Sequence, residues 1–314
     1  MDLFIEVKGL RKCYGERVAV NNIDFSVRRG QTLGLLGPNG AGKSSTVAML
    51  AGLLKVDGGT ICFNGQAINP EQASYKQKLG LVPQELAIYD ELTVKENLRL
   101  FGALYGLNKT QIAQRSSELL ELVALTDRVN DFPHSFSGGM KRRLNIALAL
   151  MHDPELVILD EPTVGIDPQS RNAIFEGLEA LQRQGKTLIY TSHYMEEVER
   201  LADHILIIDH GKVIADDSPA NLYQRLSVQA GLQLELLSEP DEDLLVRLQN
   251  VPGVVAISKP SQLSCLHLEL QQQADAFAVL NLITELAIPV QHFASAKPSL
   301  EAIFLQLTGR NLRD

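Results

Sequence analysis

A short apolar run, Thr32-Leu33-Gly34-Leu35-Leu36, leads into Gly37-Pro38-Asn39-Gly40-Ala41-Gly42-Lys43-Ser44-Ser45 and then into a helical pattern that reaches about Ala51, with Gly52 as its stop. A buried strand that hands a glycine-rich loop to the start of a helix is the framework of an α/β core built on a parallel sheet. The glycines let backbone amides curl toward an anion, and the helix presents its positive end to the same point. This predicts that Lys43 reaches the β- and γ-phosphates of a nucleoside triphosphate and that the Ser44 hydroxyl ligates Mg²⁺.

The rest of the first two thirds is consistent with such a core. Apolar runs recur at Leu156–Leu159, Thr187–Tyr190 and Ile205–Ile208, separated by helical patterns. In Leu156-Val157-Ile158-Leu159-Asp160-Glu161 the strand carries Asp160 to its carboxyl end, where open α/β sheets bind ligands. Asp160 is therefore expected to hold Mg²⁺ through water, and Glu161 to orient and deprotonate an attacking water. Ser137-Gly138-Gly139-Met140-Lys141 stands just before a helix, with Ser137 at an N-cap position, so the free amides there make a second anion site. The opening is β-rich around residues 4–7, 18–20 and 23–27, and residues from about 86 to 151 read mainly as helix, with capping-box spacing in Thr93-Val94-Lys95-Glu96.

The character changes near residue 225. Strands are expected at 232–237, 254–258, 263–270 and 290–294, and helices at 241–248 and 274–286. This is the β-α-β-β-α-β order of a ferredoxin-like unit, followed by a short helix from Pro298. Leu300, Ile303, Phe304 and Leu307 fall on one face of that helix, which must pack against its own domain or a partner. A chain of 314 residues fits two domains, read as 1–224 and 225–314.

Charge and cysteines narrow the function classes. The net charge is -9 and the cations are scattered, which argues against a surface that coats nucleic acid. Cys13, Cys62 and Cys265 lie far apart without metal-ligand spacing, so a zinc site or disulfide framework is not expected and a reducing, cytoplasmic compartment is. The N-terminus lacks the basic and apolar regions of a secretory signal, and no run approaches eighteen uninterrupted apolar residues.

Taken together, these residues resemble the nucleotide-binding subunit of ATP-binding cassette (ABC) transporters over about residues 4 to 220. Gly37 to Ser44 resembles the family's Walker A motif, Leu156 to Asp160 its Walker B, and Ser137-Gly138-Gly139 the signature that closes over ATP held by the other subunit's phosphate loop. Gln84 resembles the Q-loop glutamine that touches Mg²⁺ and relays its state to a membrane partner. His193 resembles the switch histidine at the γ-phosphate, Tyr14 the aromatic on which adenine stacks, and Gly165-Ile166-Asp167-Pro168 the loop between the two subunits. Met140 and Phe136 depart from the common glutamine and leucine. With Pro298 to Gly309 and His193 to Glu199, they are similar to the ABC-2-type exporter branch.

The resemblance implies a P-loop ATPase core with an N-terminal antiparallel β subdomain and a helical subdomain, followed by the small C-terminal α+β domain. It further implies ATP and Mg²⁺ as cofactors, a second copy and a separate membrane permease as partners, and a peripheral place on the inner face of the membrane. An importer ATPase or a soluble ABC ATPase remains an alternative at this point, as does a sensory role for residues 225–314.

Overall fold

The computed structural model describes residues 3–69, 72–225, 230–258 and 265–296, together with Leu300, Ile303, Phe304 and Leu307. The chain divides into two compact units, the first built on residues up to Pro219 and the second on Ala220–Gly309. The first begins with β1 (Leu3–Tyr14) and β2 (Arg17–Arg28), then β3 (Thr32–Leu36), α1 (Lys43–Leu50), β4 (Gly58–Phe63) and β5 (Gln66–Ala67). Next come α2 (Ala73–Lys76), β6 (Leu79–Val82), α3 (Val94–Leu104), α4 (Lys109–Leu122) and α5 (Gly138–Ala149). Its last elements are β7 (Leu156–Asp160), α6 (Pro168–Arg183), β8 (Thr187–Ser192), α7 (Met195–Leu201), β9 (His204–Asp209) and β10 (Lys212–Asp217).

Two sheets organise this unit. The antiparallel one runs β2-β1-β4-β5 and the larger one β10-β9-β3-β8-β7-β6. Residues 18–20 and 23–27, separate segments by sequence pattern, are one long strand. Asn22 takes a left-handed backbone (φ 52°) and the pairing slips there, so a bulge carries β2 past its two asparagines. The larger sheet is parallel except at β10, which pairs antiparallel with β9. Leu33, Leu35, Ile158, Ile189, Leu206 and Ile208 join α1 and the first sheet in one buried cluster. Alternate residues are buried as well, because α7 packs on the opposite face so closely that a Cβ on Gly34 would overlap Val198. Continuous apolar runs are the signature of such two-sided burial, and each fully buried Leu or Ile contributes about 1.5–3 kcal/mol. In the helical region α3 opens on a complete capping box, Thr93 with Glu96.

The second unit contains α8 (Pro219–Arg225), β11 (Ala230–Leu236), α9 (Glu242–Gln249), β12 (Val254–Ser258), β13 (Cys265–Leu270), α10 (Ala276–Glu285) and β14 (Val290–Ala296). Its sheet runs β12-β13-β11-β14 with every pair antiparallel, which is the ferredoxin-like order. Leucines from β11 and β13 meet Leu244, Leu248, Val279 and Ile283 of the two helices in a core of its own. Residues 263–264 of the third expected strand, and Pro298 at the start of the last expected helix, lie outside the described residues. Leu300, Ile303 and Phe304 are helical and buried and Leu307 is half-buried, so this face is covered within the chain. Among the described residues no helix is long and apolar enough to cross a membrane.

His152, just past α5, stacks on Tyr105 with 3.7 Å between ring centroids and faces the Leu79 carbonyl through Nε2 at 3.0 Å. A carbonyl only accepts, so Nε2 carries the proton, and the buried Nδ1 has no hydrogen-bond partner among the described residues. Burial holds the His152 pKa below the ordinary histidine range, against the pull of the Leu79 carbonyl and Asp153. The unfolded chain therefore binds the proton first on acidification, and stability falls as pH drops from about 7 toward 5. Thermal melts of the parent should show this decline and melts of His152→Gln a shallower one; equal slopes would contradict the assignment.

Candidate functional site

The parallel register of β3, β8 and β7 builds the site. Leu36 pairs with Ser192, and Asp160 pairs with Thr191, so the segments that leave these three strands emerge at one sheet edge. After β3 the phosphate loop turns through Gly42 into α1. Gly42 has φ 109°, and a Cβ there would stand 2.5 Å from the Ala19 carbonyl, so a side chain is excluded on both counts. Lys43 is buried, and its Nζ donates to the carbonyls of Gly37 at 2.8 Å and Pro38 at 3.2 Å.

Glu161 follows β7 and is 7% exposed, with a left-handed backbone at φ 46°. That conformation costs a non-glycine residue about 1–2 kcal/mol. It is held by the Thr191 hydroxyl, which accepts from the Glu161 amide at 2.9 Å and donates to Asp160 Oδ1 at 2.6 Å. One Glu161 oxygen lies 3.4 Å from Lys43 Nζ and the other 3.6 Å from His193 Nδ1. A carboxylate thus stands between the phosphate-loop lysine and the histidine that follows β8.

The cleft beside them, about 250 Å³, is lined by Tyr14, Arg17, Asn39, Gly40, Gly42, Lys43, Ser44, Ser45, Gln84 and Glu161, with Ala19. The Tyr14 hydroxyl lies 3.4 Å from Ser45 Oγ and its ring is half exposed. Ser44 and Gln84 are exposed toward solvent. Together with the buried Asp160 at the end of β7, which does not itself line the cleft, they supply hydroxyl, amide and carboxylate oxygens, the hard donors that suit a small divalent cation.

Ser137, Gly138, Gly139 and Asp167 form a separate patch that does not line this cleft. Ser137 caps α5, its Oγ accepting from the Met140 amide at 3.3 Å, and both Ser137 and Gly138 are exposed. Asp167 caps α6 in the same manner, and the Ser170 amide at 2.9 Å holds its carboxyl below the usual carboxylate range. The two caps meet: a Cβ on Gly139 would overlap the Ser170 side chain. A Cβ on Gly138 would touch only Ile166, at 3.9 Å.

Several participants carry no signal of their own in the sequence. Arg17 lines the cleft and lies against Gly40, yet stands in no motif. Thr191 is one more polar residue at a strand end until its hydroxyl is seen between Asp160 and Glu161. Arg142, on the second turn of α5, is 5% exposed and donates to the carbonyls of Pro83 at 2.6 Å and Gln84 at 2.5 Å.

Residues 20–164 match the family model described as ABC transporter. The chain is 46% identical, over 99% of its length and 100% of the relative's, to the linearmycin resistance ATP-binding protein LnrL of Bacillus subtilis (strain 168). It is 39% identical, over 99% of its length and 95% of the relative's, to the Nod factor export ATP-binding protein I of Ralstonia nicotianae. Among solved structures, a bacterial ABC transporter cassette, MJ0796, determined as a dimer, superposes with a TM-score of 0.62 at 25% identity, covering 68% of this chain and 98% of that one. With a phosphate loop, a paired strand-end carboxylate and full-length relatives of this kind, the chain belongs to the ATP-binding proteins of the ABC transporter family and is an ABC-type ATPase.

Proposed function

We propose that the chain is the ATP-hydrolysing subunit of an exporter, that two copies close around two ATP molecules, and that the pair drives a separate membrane permease from the inner face of the membrane. The observation that carries this reading is the split of the site: Lys43 and His193 converge on Glu161, which lines the cleft, while Ser137 and Gly138 lie exposed elsewhere on the chain. An anion site away from its own cleft is useful to a neighbouring copy. Export is supported by the two relatives named for resistance and for export, whose likeness runs through the C-terminal unit as well. That unit acts as an accessory domain, and nucleic acid is not among the partners.

In this reading Tyr14 stacks on adenine, and the amides of the loop from Gly37 to Ser45 hold the phosphates. Lys43 gives up the loop carbonyls for the β- and γ-phosphates, and Ser137, Gly138 and Gly139 meet the γ-phosphate bound by the other copy. Ser44, Gln84 and Asp160 would hold Mg²⁺, which neutralises charge on the β- and γ-phosphate oxygens when bound. Glu161 takes the proton from a water as its oxygen attacks the γ-phosphorus and the bond to the bridging oxygen breaks. His193 steadies the γ-phosphate, and Asp167 contributes from the loop facing the partner copy. Catalysis is by positioning and charge, since no covalent intermediate is required.

Glu161→Gln should lower the turnover number by about a hundredfold or more and leave an ATP-bound dimer on size-exclusion chromatography. Hydrolysis at the parental rate would remove the base assignment. Lys43→Ala should weaken ATP binding by about tenfold to a hundredfold in calorimetry, the loss expected for hydrogen bonds to charged groups. Gly138→Ala should melt within about 2 °C of the parent, its new methyl having room, yet lose the ATP-dependent dimer. A dimer of parental affinity would argue against a nucleotide role for this patch.

A further inference from the structure

Glu197 is a charge in a place where packing alone would favour an apolar side chain. It lies on α7, 3% exposed, beside the buried Val198 and Leu201 that hold the helix to the sheet. Burying a carboxylate is costly unless it is well hydrogen-bonded. Its Oε2 accepts from Ser192 Oγ at 2.7 Å, Thr163 Oγ1 at 2.8 Å and Tyr190 Oη at 2.9 Å. Burial and the neighbouring carboxylate raise the Tyr190 pKa well above the ordinary tyrosine range, so its hydroxyl keeps the proton it donates. Oε1 faces Arg171 Nε at 3.6 Å.

These donors come from both sides of the catalytic pair. Thr163 stands two residues after Glu161, and Ser192 stands immediately before His193. Ser192 Oγ also accepts from the Tyr194 amide at 2.9 Å, and the Tyr194 ring lies 5.4 Å from the Arg171 guanidinium. Both neighbours of His193 are therefore held by groups that converge on Glu197. His193 has little hold of its own: its Nδ1 is 3.6 Å from Glu161 and has no hydrogen-bond partner among the described residues. Its place is inherited from the residues on either side.

From this geometry we infer that Glu197 is a positioning residue for hydrolysis, fixing His193 against Glu161 through Ser192, Tyr194 and Thr163. It touches no part of the cleft. Its loss should therefore move the chemical step and spare ATP binding. The inference rests on the assignment of Glu161 and His193 made above.

The test measures kcat and KM for MgATP on the full chain in Glu197→Ala, Glu197→Gln and Ser192→Ala, beside the parent and Glu161→Gln. In Glu197→Ala, kcat should fall on the order of tenfold to a hundredfold while KM stays within about twofold, the split expected when a reacting group is misplaced. Glu197→Gln keeps an oxygen for the three hydroxyls and should recover most of the rate; Ser192→Ala should fall part of the way. Parental kcat in Glu197→Ala, with only a lowered melting temperature, would overturn the inference, as would a KM that rises in step with the fall in kcat. Should Glu197→Ala fail to fold, Ser192→Ala decides: a parental kcat there overturns the inference equally. A parent chain without ATPase activity, or a Glu161→Gln variant of parental rate, would remove the underlying assignment instead.

Discussion

Everything at the cleft depends on the parallel hydrogen bonding of β3, β8 and β7. These strands bring Gly37, His193 and Glu161 to one edge although more than thirty residues separate each from the next along the chain. Register matters because side chains alternate between faces, and a slip of one residue would turn Asp160 away from the loop it serves. The register is secured by burial on both faces, since every residue of the three strands is buried. That burial also offsets the strained backbone of Glu161. The strain is local, of order 1–2 kcal/mol, and the Thr191 hydroxyl joins Asp160 and Glu161 across the same two paired strands.

The sequence was most legible where one physical requirement leaves few choices. Only small residues fit where the phosphate loop approaches Ala19, so the glycine spacing could be read with its chemistry attached. Continuous apolar runs announced β3, β7, β8 and β9 because those strands are covered on both faces. β4, by contrast, opens on two glycines, β5 is only two residues long, and β10 is a short edge strand that ends in Asp216-Asp217, so none offers a long apolar run. Thr191, Arg142 and Glu197 were illegible for a related reason: each hydrogen-bonds a residue distant in sequence, Asp160, Pro83 and Thr163 respectively, and no local pattern records such a contact. The second unit was readable in element order, since its helices and strands alternate in short amphipathic segments, but the pairing order became visible only in the sheet.

The two glycines that follow Ser137, one exposed and one buried, separate two demands that a motif merges. Gly139 is explained within one chain, because α5 and α6 begin so close together that Ser170 fills the space a methyl would need. Gly138 is not, for it has room and is exposed. A small residue without an internal reason points outward, to something that must approach the backbone at that position. In the proposed dimer Gly138 leaves room for the nucleotide of the other copy, and Gly139 in addition lets α5 start close against α6.

The helix that bears this patch also grips the loop before α3. From its second and third turns Lys141 pairs with Asp90 at 2.9 Å, Arg142 binds the Pro83 and Gln84 carbonyls, and Asn145 accepts from the Ala87 amide at 3.1 Å. The buried Asn97 ties the far end of the same loop to Tyr89, Leu92 and Thr93. Gln84, which lines the cleft, is therefore held by its backbone to the helix that Ser137 caps. A buried guanidinium spent on two backbone carbonyls is a costly way to hold a loop, and it is rigid in return: an arginine fork fixes direction as well as distance. Ser137 and Gln84 are thus joined through one helix rather than through the sheet.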